Sequence, residues 1–261
     1  GNLSDVGLVR RTLIDQGIEV VYHLAWATIH ETALKNPIAD VEQNLLPTLS
    51  LLDACRDSSV ELVVFSSSGG TVYGVPQGFP VREDHPTDPI NAYGVSKLAV
   101  EKYLQMYQYL YGLDYVVFRP SVPYGPRQNP RRRQGAVSVF TYGLLCDEEI
   151  EIWGDGETTR DYFFIGDMVK AFVDVIETPD AKNTVMNLAG DEPYSLNQLV
   201  GVIEQTLNKK ATVKYEIGRK FDVPKLDLDF QTAVKILNWY PETTLAEGIS
   251  RTAEWLQKWI D

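Results

Sequence analysis

Leu62-Val63-Val64-Phe65-Ser66-Ser67-Ser68-Gly69-Gly70 decides the fold. A short, continuous apolar run is what a strand buried on both faces requires, and the Ser/Gly stretch ends it in a loop. Working outward, Val20-Val21-Tyr22-His23-Leu24-Ala25 and Tyr115-Val116-Val117-Phe118 have the same character. Between these runs, Val41, Leu45, Leu49 and Leu52 mark a helix that Pro47 is expected to kink, and Val95, Ala99, Tyr103, Met106 and Leu110 mark a second. Ahead of them, Ser4 is placed to cap a helix carrying Leu8, Val9, Leu13 and Ile14, which Gly17 would end. Strand, helix, strand, helix, strand is a βαβ series, so the fold class is α/β with a doubly wound parallel sheet.

The regularity fades after Arg119-Pro120, and the stretch from Pro123 to Arg133 is rich in Pro, Gly and Arg. Residues 1–120 therefore read as the sheet domain and 121–261 as a smaller α/β substrate-binding lobe, with some segments returning to the sheet. Ligands in such folds bind beyond the carboxyl ends of the strands, where Ser66 to Gly74 and Pro120 to Gln128 fall. The 261 residues hold 24 Lys and Arg against 36 Asp and Glu, a net charge of −12, so nucleic acid and anionic lipid are not expected partners. No apolar run is long enough to span a bilayer and the start lacks a signal-peptide pattern, which makes cytoplasm the expected location. Cys55 and Cys146 allow no disulfide framework and are expected as buried thiols. His23, His30 and His85 lack metal-ligand spacing, and Arg131-Arg132-Arg133 reads as a solvated charge run.

Tyr93-Gly94-Val95-Ser96-Lys97 puts a phenol and an ammonium one turn apart at the start of a helix. A free phenol, with a pKa of about 10, is a poor base at neutral pH. A neighbouring ammonium favours the phenolate and draws that pKa toward the working range. The motif gains weight from its setting, between two predicted parallel strands and after a hydroxyl-rich strand end.

From these residues the sequence resembles the extended short-chain dehydrogenase/reductases that act on nucleotide sugars, the NAD-dependent epimerase/dehydratase family. The matching pieces include His23-Leu24-Ala25, Asn44, Phe65 to Ser68, Thr71-Val72-Tyr73-Gly74, Glu83-Asp84-His85-Pro86, Tyr93 to Lys97, Tyr124-Gly125-Pro126-Arg127, Gly154-Asp155-Gly156, Thr159-Arg160-Asp161, and Arg219 with Asp222. The resemblance implies a Rossmann-like sheet, NAD as cofactor, and C4 epimerisation of a UDP-hexose through a 4-keto sugar. It makes Tyr93 the base and acid, and gives Lys97 both the tuning of that phenol and the nicotinamide ribose. Ser68 would bond the reacting oxygen, with Ser67 and Thr71 as rivals. Asn2, Leu3, Leu24, Ala25, Asn44, Ser66 and Pro120 would line the cofactor, although the Asn44 amide has an alternative use in bonding nearby backbone. Arg160 and Arg219 would take the substrate diphosphate and Asp222 the uridine ribose, as guanidinium forks and carboxylates suit those groups. The family also implies a homodimer through a four-helix bundle built from the helices of Val41 to Leu52 and Val95 to Leu110.

Two departures stand out. No G-x-x-G-x-x-G or G-x-G-x-x-G occurs, so the turn that cradles a dinucleotide's diphosphate is missing. In the family roughly 55 to 60 residues precede the position of Gly1, about two βα units and a strand, so the chain reads as amino-terminally truncated and its sheet as lacking its first strands. At Val122 the family usually has asparagine, and the loss of one hydrogen bond to a charged oxygen costs on the order of 1.5–3 kcal/mol. Gly69-Gly70 offers none of the extra acid and base that 4,6-dehydratases use there, which favours epimerisation over dehydration. The rivals are a reductase or decarboxylase on the same scaffold, and a chain that binds without turnover. The sequence predicts that these 261 residues alone bind NAD weakly or not at all; full NAD occupancy in the purified chain, measured by its absorbance and mass, would overturn this.

Overall fold

The computed structural model describes residues 1–132, 134–218 and 223–260. In chain order it runs α1 (Val6–Asp15), β1 (Val20–His23), α2 (His30–Lys35), α3 (Pro37–Asp40), a π-helical turn (Val41–Leu45), α4 (Leu46–Arg56), β2 (Leu62–Ser66), α5 (Gly69–Val72), α6 (Ala92–Tyr111) and β3 (Asp114–Pro120). Then come β4 (Val122–Tyr124), α7 (Ala136–Leu145), β5 (Ile150–Trp153), β6 (Thr159–Arg160), β7 (Tyr162–Phe164), α8 (Ile165–Asp174) and β8 (Thr184–Leu188). The chain continues through β9 (Tyr194–Ser195), α9 (Leu196–Leu207), β10 (Val213–Glu216), α10 (Gln231–Leu237) and α11 (Leu245–Ile260).

The chain divides into two compact units. One comprises residues 1–75, 83–119 and 174–187, the other 76–82, 120–173 and 188–261. In the first, β1, β2 and β3 pair in parallel in that order, with β8 beyond β3. Right-handed crossovers that step the same way across a sheet place their helices on one face. On that face Leu51 and Leu52 of α4, Val100 and Leu104 of α6 and Leu13 of α1 pack against Phe65 and Val117. Val64, Val116 and Phe118, on the opposite face, are equally buried, so the strands are covered on both sides as their apolar runs require. The second unit has its own core, with Tyr124, Phe140, Ile152, Phe164, Leu199 and Ile249. There β4 pairs in parallel with β7, β5 in parallel with β10, and β6 antiparallel with β9.

Local details depart from the sequence reading. Asp5, not Ser4, caps α1 by accepting from the Leu8 amide at 3.0 Å. β1 stops at His23, and Leu24 is 59% exposed. The helix over Val41 to Leu52 is disturbed just ahead of Pro47, and the disturbance takes the form of a π-helical turn in which the Leu46 amide bonds the Val41 carbonyl. The stripe of Val95, Met106 and Leu110 on α6 faces outward; the buried face carries Ser96, Lys97, Val100, Glu101, Leu104 and Tyr107. Cys55 is buried, whereas Cys146 is only half-buried. Arg131 and Arg132 are exposed, and Arg133 lies outside the described residues. No helix among the described residues is long and apolar enough to cross a membrane.

Glu101 on α6 and Arg119 on β3 form an ion pair of 2.6 Å in which neither side chain is more than 5% exposed. The guanidinium also donates to Tyr73 Oη at 2.9 Å, and Tyr73 donates to Asn187 Oδ1 at 2.7 Å. Ser67 Oγ donates to Glu101, which ties the loop after β2 into the same network. Removing one partner of a buried pair strands a charge and typically costs about 3–5 kcal/mol, whereas replacing both by apolar residues costs far less. Urea denaturation is accordingly expected to show Arg119→Met destabilised by about 3–5 kcal/mol, with Glu101→Leu/Arg119→Met recovering most of the loss.

Candidate active site

The carboxyl ends of β1 and β2 and the first turns of α6 meet in the first unit. Asn91 caps α6 by accepting from the Gly94 amide at 2.8 Å, which places Tyr93 in the opening turn and Lys97 one turn on. Gly94 has to be glycine: a Cβ there would lie 2.8 Å from the Thr71 carbonyl oxygen of α5.

Lys97 is buried, and its ammonium donates to the Ser66 carbonyl at 2.7 Å. The same nitrogen stands 3.8 Å from the centre of the Trp26 ring, 4.8 Å from that of Phe65 and 5.6 Å from that of Tyr93. A carbonyl and aromatic faces are partial substitutes for water around a cation. Burial still draws the Lys97 pKa down to about 7, against the upward pull of Asp40 and Glu101. His23, buried and bonded to Thr48 Oγ1 at 2.8 Å, is lowered to about 4 by burial and then by Lys97. It is therefore neutral near pH 7.

Tyr93 does not match the sequence expectation in this state. Its ring meets Trp26 edge-on at 5.9 Å, and burial, then the charge of Asp40, push its phenol up to about 12. The expected lowering by Lys97 is absent, since a lysine drawn down to about 7 has lost its charge before a phenol near 12 titrates.

Among the hydroxyls after β2, Ser67 is used up by Glu101. Ser68 is half-buried and extended (φ −155°, ψ 103°), and its side chain makes no capping bond to α5. Thr71 Oγ1 is buried without a hydrogen-bond partner. Asn44, in the π-helical turn, accepts from the Ala27 amide at 2.7 Å and donates to Thr28 Oγ1 at 2.9 Å and Asp40 Oδ1 at 3.0 Å. Its amide thus secures the loop after β1, where Leu24 and Ala25 are exposed. The π-helical turn is a common device at functional sites, as the extra residue re-aims a side chain.

The remaining residues fall elsewhere. Asn2 Oδ1 accepts from the Ser4 amide and hydroxyl, at 3.0 and 2.8 Å, and Leu3 packs on the first unit's core. Pro120 is buried at the end of β3. In the second unit Val122 lies opposite Tyr162 between β4 and β7, its side chain against that unit's core. The Arg160 guanidinium donates to the Thr159 carbonyl at 2.7 Å. Arg219 and Asp222 lie outside the described residues. Sequence reasoning missed Trp26, Thr28, Asp40 and Ser96; only the four-residue spacing of Asp40 and Asn44 hints that the first of these polar groups is shared.

Residues 1–189 match the NAD dependent epimerase/dehydratase family. A putative UDP-glucose 4-epimerase of Methanocaldococcus jannaschii is 35% identical over 240 residues, covering 92% of this chain and 77% of its own length. The crystal structure of the UDP-glucose 4-epimerase of Thermotoga maritima with UDP-glucose superposes with a TM-score of 0.96 at 33% identity, covering 100% of this chain and 84% of that one. The Thermus thermophilus UDP-glucose 4-epimerase complexed with NAD gives 0.91 at 30% identity, covering 98% and 83%. The chain belongs to the NAD-dependent epimerase/dehydratase family, a family of enzymes, and carries its parallel α/β fold.

The donor set fits the nicotinamide-ribose end of such a cofactor: a buried ammonium, exposed backbone at Leu24 and Ala25, and two buried polar atoms without partners, Trp26 Nε1 and Thr71 Oγ1. The glycine-rich turn suited to the diphosphate does not occur in these 261 residues. For the ligand-free chain, the ¹³Cζ resonance of Tyr93, assigned by its loss in Tyr93→Phe, is expected to stay that of a neutral phenol through pH 10; ionisation below pH 8 would contradict the geometry.

Proposed function

We propose that the chain serves NAD-dependent C4 epimerisation of a UDP-hexose through a 4-keto sugar. The observation that carries this reading is the Tyr93–Lys97 pair at the strand ends, with the Lys97 ammonium on the Ser66 carbonyl. It is supported by family membership and by the likeness to UDP-glucose 4-epimerases over nearly the whole chain.

In this reading Tyr93 accepts the proton of the sugar's C4 hydroxyl and later returns it, while Ser68 hydrogen-bonds the same oxygen. When bound, NAD supplies the hydride acceptor that takes hydrogen from C4 and gives it back to the opposite face. Lys97 holds the ribose hydroxyls and stabilises the phenolate. Leu24, Ala25 and Ser66 offer backbone to the cofactor, with Asn44 holding the loop that presents it. A phenol resting near 12 needs its phenolate stabilised more than the ligand-free site does, and positive charge drawn toward it as the ligands enter meets that need.

The substrate diphosphate goes to Arg160 and Arg219, and the uridine ribose to Asp222. Val122 contributes no hydrogen bond. Assembly is as a homodimer through α4 and α6, a reading favoured by the exposed Leu46, Val95, Met106 and Leu110.

The test uses a chain carrying the family's glycine-rich segment ahead of Gly1, incubated with NAD and UDP-glucose and followed by proton NMR of the anomeric signals. UDP-galactose is expected to accumulate to equilibrium, and Tyr93→Phe to lower kcat by about 10²–10⁴-fold while NAD stays bound. Turnover unchanged in Tyr93→Phe would assign that residue to structure.

A further inference from the structure

Asp40 is fully buried at the end of α3, and no ion-pair partner stands against it among the described residues. Three groups hold it: Ser96 Oγ donates to Oδ2 at 2.5 Å, Asn44 Nδ2 donates to Oδ1 at 3.0 Å, and Thr28 Oγ1 donates to Oδ1. Two of them adjoin residues of the Lys97 environment. Ser96 sits between Tyr93 and Lys97 on α6, and Thr28 follows Trp26, whose ring covers the ammonium.

A neutral amide would serve the same three partners, accepting at one end and donating to a turned Ser96 hydroxyl at the other. Hydrogen bonding alone therefore does not call for a carboxylate, and burying a charge without reason is costly. The charges that bear on Lys97 decide the matter. On its own helix are Tyr93, a neutral phenol, and Glu101, already paired with Arg119; on β1 is His23, neutral near pH 7; on α3 is Asp40. Asp40 is the one carboxylate of these with no cation of its own.

We infer that Asp40 is a positioning residue for the Tyr93–Lys97 pair, locking the loop after β1 to the first turns of α6 and supplying the counter-charge of the buried Lys97 ammonium. The catalytic consequence rests on the reading proposed above; the electrostatic one does not. A negative charge favours the ammonium and disfavours the phenolate, so Asp40 keeps the proton on both groups in the ligand-free chain. Removing the charge must move both titrations downward in pH, which loss of packing does not do.

The experiment is a pH titration by NMR of the chain labelled at lysine Cε and tyrosine Cζ, with Lys97→Arg and Tyr93→Phe for assignment. In Asp40→Asn both Lys97 and Tyr93 are expected to titrate lower than in the wild type, Lys97 by about one pH unit or more. Ser96→Ala, which drops a hydrogen bond and keeps the charge, is expected to leave Lys97 in place. Asp40→Ser is the second neutral variant. Lys97 unmoved in a folded neutral variant overturns the proposal, and failure of both neutral variants to fold assigns Asp40 to the fold alone and overturns it too. In the NAD-loaded chain with the glycine-rich segment, the alkaline limb of kcat against pH is expected to shift down in Asp40→Asn with KM for UDP-glucose unchanged; a uniform loss at all pH values counts against the inference. If Lys97 moves but the wild type turns over no UDP-glucose, the positioning role stands and the substrate assignment falls.

Discussion

A buried ammonium organises the strand ends of the first unit. Lys97 has left water for a site where one carbonyl, two aromatic faces and the fields of two carboxylates stand in for hydration. None of these is a direct ion pair. The consequence is a lysine whose proton is only marginally held, and everything nearby is arranged around that fact: Ser66 cannot turn its carbonyl away, Trp26 cannot leave the loop after β1, and Asp40 cannot lose its charge without weakening the ammonium. The Glu101–Arg119 pair then fixes the floor, since it holds Ser67 and Tyr73 and so determines the path by which the chain leaves β2.

The sheet was legible because its signal is local and apolar. Runs such as Leu62 to Phe65 and Tyr115 to Phe118 have no polar side to show, and only a strand covered on both faces tolerates that. The Tyr93–Lys97 spacing was legible for a similar reason, as one helical turn separates the two whatever the tertiary context. The buried face of α6 was not. Its polar members, Ser96, Lys97 and Glu101, are satisfied by Asp40, Ser66, Ser67 and Arg119, partners far away in sequence that hydrophobic periodicity does not report. The visible stripe of Val95, Met106 and Leu110 belongs instead to the outer surface. The π-helical turn escaped as well: Pro47 signals a disturbance of the helix, but not that it takes the form of one extra residue in the turn before it.

Hydroxyls after β2 show how geometry separates residues that sequence leaves equivalent. Ser66, Ser67 and Ser68 are the same chemical group three times over. A pleated strand end turns them differently: the first gives its carbonyl to Lys97, the second is spent on Glu101, and the third stands extended with a side chain that caps nothing. Of the three rivals the protein has spent Ser67, and it leaves the hydroxyls of Ser68 and Thr71 uncommitted. Val122 is the reverse case, as its side chain is occupied in a core and carries no donor at all.

On the reading proposed above, reversible epimerisation at C4 places a demand that the ligand-free site does not meet. The group that removes the C4 proton has to return it, so its affinity for that proton must be near balance at the working pH. A phenol near 12 is short of that by on the order of 7 kcal/mol at neutral pH. The deficit comes from burial and from the Asp40 charge, in a protein whose net charge of −12 adds no help. Positive charge brought against the phenol, or hydrogen bonds donated to the phenolate, would close the gap. Among the described residues of the first unit's site, Lys97 is the nitrogen placed to supply that charge, one turn away with its ammonium 5.6 Å from the centre of the Tyr93 ring. A site built this way holds its base protonated until positive charge and substrate arrive together, because the same carboxylate that secures the ammonium opposes the phenolate.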